Sequence, residues 1–110
     1  MDRQMPLETT GEMLTFWTQQ DRMHGRQPLG QWLFAEIARL GVPGATLSGG
    51  LVGRGHDGAT HWVTLMDVAE QPLQISVVAP SAEIDRLLAA LAGQVPGLFY
   101  SRVPARFGTL

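Results

Sequence analysis

There is no cysteine among the 110 residues. Disulfides, thiol nucleophiles and cysteine-ligated zinc are therefore excluded, and the usage fits a reducing compartment. No block of like charge appears either, and the formal net charge is only -2. A nucleic-acid surface or a polybasic membrane patch is not expected from that balance. No apolar run approaches the ~20 residues of a bilayer-spanning helix, so direct membrane insertion is not expected. Residues 1–11 lack the basic start and apolar centre of a secretory signal. The default location is the cytoplasm. Internal repeats and low-complexity tracts are absent too.

Catalytic signatures are missing as well. The chain has no Gly-x-Ser-x-Gly elbow and no His-Glu-x-x-His. The carboxylate pairs Asp67/Glu70 and Glu83/Asp85 read as solvated faces rather than as acid and base. Nothing in the sequence supports an enzyme.

What is present is a composition for one domain, residues 1–110, with 45% hydrophobic residues and a modest core. Residues 1–11 and the last few read as loose ends. Residues 12–18 predict a strand, with Leu14 and Phe16 on one face and Met13, Thr15 and Trp17 on the other. Residues 19–27 are polar and turn-like. Pro28 suits the first turn of a helix, followed at helical spacing by Leu29, Trp32, Leu33, Ile37 and Leu40. Gly41 and Pro43 stop it. Residues 45–52 and 60–68 predict extended segments, the second as an arm of a loop, and residues 73–79 a stronger strand. Ser81 is the expected N-cap of a second helix, whose stripe is Ile84, Leu87, Leu88 and Leu91. Residues 98–103 predict the last strand.

The resulting order, β-α-β, loop and arm, β-α-β, points to an α+β fold. Its expected form is the ferredoxin-like βαββαβ sandwich, an antiparallel sheet with both helices on one face. The other face must then be covered. Mixed apolar strand faces, with Trp17 and Trp62 outside the helices, predict a homo-oligomer. The three tryptophans read as core or interface anchors rather than cofactor platforms.

Between positions 49 and 58 lie five glycines in ten residues. No Gly-Lys-Ser/Thr follows, and the segment leads from strand to strand rather than into a helix, so neither a Walker A nor a dinucleotide fingerprint is present. Two readings stay open. One is a plain hairpin with bulge glycines. The other is a loop whose backbone N–H groups form an anion nest, with Arg54 able to pair with phosphate in bidentate fashion. His56, Asp57 and His61 are weak metal candidates, because His56 and His61 would fall on opposite faces of a strand. Arg102 and Arg106, on or just past the last strand, read either as surface charge or as a phosphate clamp.

From Leu14 to Leu98 the chain resembles the PII-like superfamily of trimeric signalling proteins. It is most similar to the small PII-like family known only as a domain of unknown function. The residues that carry the likeness stand in order. Leu14-Thr15-Phe16-Trp17 begins like the family's first strand. His24-Gly25-Arg26-Gln27-Pro28-Leu29 looks like its entry to the first helix. Gly41-Val42-Pro43-Gly44-Ala45-Thr46 looks like its turn into the second strand. Gly50 and Gly53-Arg54-Gly55 match its glycine run, His61 its loop histidine, and Gln71-Pro72-Leu73 its next strand. Gly49 stands where the family often has Arg, and Arg54 where it has an aromatic.

The resemblance implies a homotrimer with an adenine nucleotide (ADP, ATP, AMP or a cyclic form) in the clefts between subunits. A small anion such as bicarbonate is a further possible ligand. A T-loop-like segment at 54–61 would engage a protein target such as a transporter, channel or enzyme. By the same resemblance Gly53, Arg54, Gly55 and His56 form the base of that loop, and Arg102 and Arg106 supply charge for phosphate. The sole tyrosine, Tyr100, lies on the last strand, so tyrosine-linked uridylylation of the loop is excluded. The alternatives are a ferredoxin-like oligomer that binds a metal or metabolite, and a small ferredoxin-like enzyme.

Overall fold

The computed structural model describes residues 7–49, 52–54, 60–62 and 72–110. Strand β1, Glu8–Gln19, is the centre of the sheet. Its side chains alternate between two faces, as in any strand. Leu14 and Phe16 are fully buried under the helices, while Met13 and Trp17 stand on the other face. A short ladder, β2 (Met23–His24) with β3 (Gln27–Pro28), turns at Gly25 and leads into α1, Leu29–Arg39. Pro28 is the N-cap residue of that helix, not part of its first turn. Leu29, Leu33 and Ile37, four positions apart, form the buried stripe of α1. The helix stops at Gly41, whose φ of 80° is a backbone state that costs other residues dearly.

Strand β4 covers only Thr46–Gly49. Strands β5 (Val52–Arg54) and β6 (Thr60–Trp62) pair antiparallel with each other as a separate two-stranded sheet. The extended segments expected at 45–52 and 60–68 are thus present in part: Ala45 precedes the strand, and residues 50, 51 and 63–68 lie outside the described residues. Strand β7, Pro72–Ala79, buries Leu73, Ile75, Val77 and Ala79. Helix α2, Ser81–Leu91, buries Ile84, Leu87 and Leu91. Its N-cap residue is Pro80 and no side chain caps it. The expected cap, Ser81, instead has its hydroxyl near Glu12 and helps to lower that carboxyl. Strand β8 is Phe99–Gly108.

The four-stranded sheet has the order β4-β7-β1-β8, with every neighbour antiparallel. This is the ferredoxin-like arrangement expected from the element order. Helix α2 lies over β1 and α1 over β7. The inward residues of β1 and β7 and the stripes of both helices form one core. Arg86 links the helices by donating to the Leu40 carbonyl at 2.7 Å, where α1 leaves its last carbonyls unpaired.

One expectation changes in part: residues 8–11 and 104–108 are not loose, because β1 and β8 pair from Glu8↔Gly108 to Trp17↔Phe99, while residues 1–6 lie outside the described residues. Apolar alternation is absent from β1 before Met13, but backbone pairing does not need it. Gly11 also has no room for a side chain, since a methyl there would strike the Ala79 carbonyl and the Phe107 ring.

Among the described residues no helix packs on the other face of the sheet. Register places Val78, Met13 and Val103 in one row across it, and Trp17 beside Phe99 in another. These five side chains are between 36% and 48% exposed. Between the rows runs a line of hydroxyls. Thr15 Oγ1 lies 3.1 Å from Ser76 Oγ, and Trp17 Nε1 donates to Ser101 Oγ at 3.3 Å.

The two faces of β1 should respond differently to truncation. Phe16→Ala removes a fully buried ring and is expected to cost about 3–5 kcal/mol in a urea unfolding measurement. Met13→Ala, on the open face, should cost less than about 1 kcal/mol in the isolated subunit. Equal losses would contradict the packing described.

Candidate functional site

Strand β8 is an edge of the sheet and carries two of the candidate residues. Arg102 and Arg106 are both even-numbered on this strand, so both project to the helix side, about 13 Å apart along it. Pro104 lies between them, opposite Glu12. Proline has no N–H for a ladder, and an edge strand tolerates it.

Both arginines meet carboxylates of the same chain. Arg102 is held by Glu12 in a two-point contact. Its Nε donates to Glu12 Oε1 at 2.7 Å and its Nη2 to Oε2 at 2.6 Å. Nη2 also donates to Asp85 Oδ1 at 2.8 Å, on α2. Arg106 Nε lies 3.6 Å from Glu8 Oε2, an ion pair too long for a hydrogen bond. Each pair is diagonal to the strand register, with the carboxylate two positions from the residue directly opposite the arginine. The result is a two-rung ladder of ion pairs along one side of β1 and β8.

The rungs differ in exposure. The Glu12 side chain is 16% exposed and that of Arg102 30%, whereas Asp85 and Arg106 stand largely in solvent at 65% and 77%. The Arg102 guanidinium, helped by the Ser81 hydroxyl, holds the Glu12 carboxyl below its ordinary value of 4.5, although burial pulls the other way. Glu12, followed by Asp85, raises the Arg102 guanidinium still further above its ordinary value. Arg102 thus ties β8, β1 and the first turns of α2 together.

The remaining candidates lie elsewhere. Gly53 and Arg54 belong to β5, and Gly55 and His56 lie outside the described residues. The structure therefore gathers Arg102 and Arg106 on one strand face and describes no meeting of either with the glycine segment. His61 is in β6. His24 stacks on Trp32 of α1, with ring centroids 3.9 Å apart. Among the described residues no group of His, Asp and Glu could hold a metal ion. An open apolar hollow of about 380 Å³ lies beside α1, lined by Phe34, Ala38 and residues 41–45. It presents no charged side chain. No helix among the described residues is long and apolar enough to cross a membrane.

Sequence reading gives Glu8 and Glu12 no site role, and takes Ser81 as a helix cap and Asp85 as a solvated carboxylate. A signal for the first two was there: Glu8 and Glu12 are four apart, as are Arg102 and Arg106, and antiparallel pairing of their strands matches the two spacings. Asp85, expected to be solvated, is exposed but paired.

The Glu12 contact makes stability depend on acid. Its carboxyl is lowered in the folded state, so its contribution is fully present above the unfolded value near 4.5. It is lost as pH falls through the lower folded value. Glu12→Gln should therefore flatten the acid side of the stability curve below about pH 4.5, read as melting temperature against pH. An unchanged acid limb would remove Glu12 from this role.

Comparison with known proteins fits the geometry. A family model, DUF190, described as "Uncharacterized ACR", matches residues 11–101. No curated protein matches the chain. Among solved structures, the nitrogen regulatory PII-like protein CPII from Thiomonas intermedia K12, bound to ADP, AMP and bicarbonate, superposes with a TM-score of 0.69 at 18% identity, covering 96% of this chain and 94% of that one. CPII bound to ADP and bicarbonate gives 0.66 at 18% identity, covering 96% and 95%. A structure from Thermus thermophilus described as PII-like signaling gives 0.63 at 17% identity, covering 94% and 92%. At such identities the likeness is one of fold, and it runs almost end to end. With a family match over most of its length and this shared architecture, the chain belongs to the DUF190 family and has the PII-like form of the ferredoxin-like fold.

Proposed function

We propose that this protein is a non-enzymatic, nucleotide-responsive signalling protein of the cytoplasm. It works as a homotrimer, takes an adenine nucleotide in clefts between subunits, and reports that ligand to a protein partner through the segment 54–61. The observation that carries the reading is the full-length likeness to structures solved with ADP and bicarbonate. Subunit association is supported by the open sheet face. Met13, Trp17, Val78, Phe99 and Val103 form two apolar rows there, on either side of the hydroxyl line, and large apolar side chains grouped on a folded surface favour a contact.

In this reading Gly53 and Gly55 let backbone N–H groups approach phosphate, with Arg54 and His56 beside them. Charge comes from Arg102 and Arg106, whose planar forks match two phosphate oxygens. Signalling follows from population shift: a ligand that binds one conformation of the loop segment better exposes or hides the partner surface. Bicarbonate is a candidate second ligand, and a transporter, channel or enzyme the candidate partner.

Trp17→Asp places a charge in the open face and should convert the trimer to monomer in light scattering at tens of micromolar. A wild-type protein that is itself a monodisperse monomer there would remove the oligomer from the reading. A thermal-shift panel of ADP, ATP, AMP and cyclic nucleotides, with and without bicarbonate, tests the ligand. At 100 times its dissociation constant a ligand adds about 2.7 kcal/mol, which is several degrees for a domain of this size. Silence across the panel would overturn the nucleotide reading.

A further inference from the structure

The guanidinium of Arg102 has two edges that can each take an oxyanion in two-point fashion. The edge made by Nε and Nη2 is filled by Glu12 at 2.7 and 2.6 Å. The other edge, made by Nη1 and Nη2, receives one hydrogen bond, from Nη2 to Asp85 Oδ1 at 2.8 Å. Among the described residues Nη1 has no partner. The two carboxylates are held very differently. The Glu12 side chain is 16% exposed, whereas that of Asp85 is 65% exposed.

We infer that Asp85 occupies, as an internal stand-in, the edge of Arg102 that a phosphate of the ligand would take, so that it sets ligand affinity by competition. This rests on the nucleotide reading proposed above. Glu12 stays in place and orients the guanidinium. Asp85 is the carboxylate that leaves. Its single hydrogen bond, made largely in solvent, is the weaker of the two contacts, since exposed ion pairs contribute little. A phosphate offers two oxygens to the Nη1/Nη2 edge where Asp85 uses one. As an anion it cannot share that edge comfortably with a second carboxylate.

The chemistry makes Asp85 an affinity-determining residue rather than a ligand contact. Its removal strengthens binding, opposite to the effect expected for a residue that touches the nucleotide favourably. The charge is also what matters, so the isosteric amide should act like a truncation.

ADP titration by calorimetry on the full chain tests this with wild type, Asp85→Asn, Asp85→Ala and Arg102→Gln. Circular dichroism and melting temperature confirm that each variant is folded. Asp85→Asn and Asp85→Ala should bind ADP about two- to fivefold more tightly, the change that corresponds to losing an exposed ion pair, and Arg102→Gln should bind more weakly. Both Asp85 variants binding like wild type, with Arg102→Gln weakened, would overturn the competition while leaving Arg102 as a ligand contact. Arg102→Gln binding like wild type would instead overturn the assignment of Arg102 to the ligand, and the role of Asp85 with it.

Discussion

Alternation along β1 is the constraint on which the rest depends. Neighbouring side chains of a strand point to opposite sides. Once Leu14 and Phe16 are fixed under the helices, Met13, Thr15 and Trp17 have only the other side to occupy. Because β1 is paired on both flanks, it passes that division to β7 and β8 through register. Val78 and Val103 are carried outward by Met13, and Phe99 by Trp17. The helix-covered core and the open apolar face are therefore two consequences of one strand. A one-residue slip would exchange them.

The same register organises charge. Glu12 lies on the helix side of β1, and Arg102 on the helix side of β8, so they meet where α2 begins. A bidentate pair that is mostly shielded has firmer geometry than a pair in solvent. It anchors the edge strand to the centre of the sheet and to the helix layer together. Asp85 joins from outside and is the more exposed member. Arg106 and Glu8 repeat the arrangement four residues further along, at longer range and in solvent. One strand pair thus grades from a firmly held arginine to a nearly free one.

Local patterning made much of the fold legible. The stripes Leu29, Leu33, Ile37 and Ile84, Leu87, Leu91 obey the helical period, and both helices are where that period places them. The strands at Leu14 and Ile75 followed from alternation. What could not be seen lay where no local pattern operates. The outer half of β1 carries no apolar alternation, at Glu8-Thr9-Thr10, and pairs with the outer half of β8 across almost the whole chain. Ser81 has the chemistry of a cap, but Pro80 takes the cap position and Ser81 begins the helix itself.

For the candidate site the division is similar. The glycine run and the residue types of Arg102 and Arg106 stand in the sequence, and a family likeness gathers them into a ligand reading. Their surroundings do not stand there. That Arg102 is met by Glu12 and Asp85, from partners 90 and 17 positions away, depends on strand register and on where α2 crosses the sheet. By itself the sequence determined element types, the helix stripes and the two-faced character of β1, because these follow from the repeat of side chains along one segment. Only the tertiary structure decided which face stayed open and which carboxylates reach the arginines, because both are set by pairing between segments far apart in the chain.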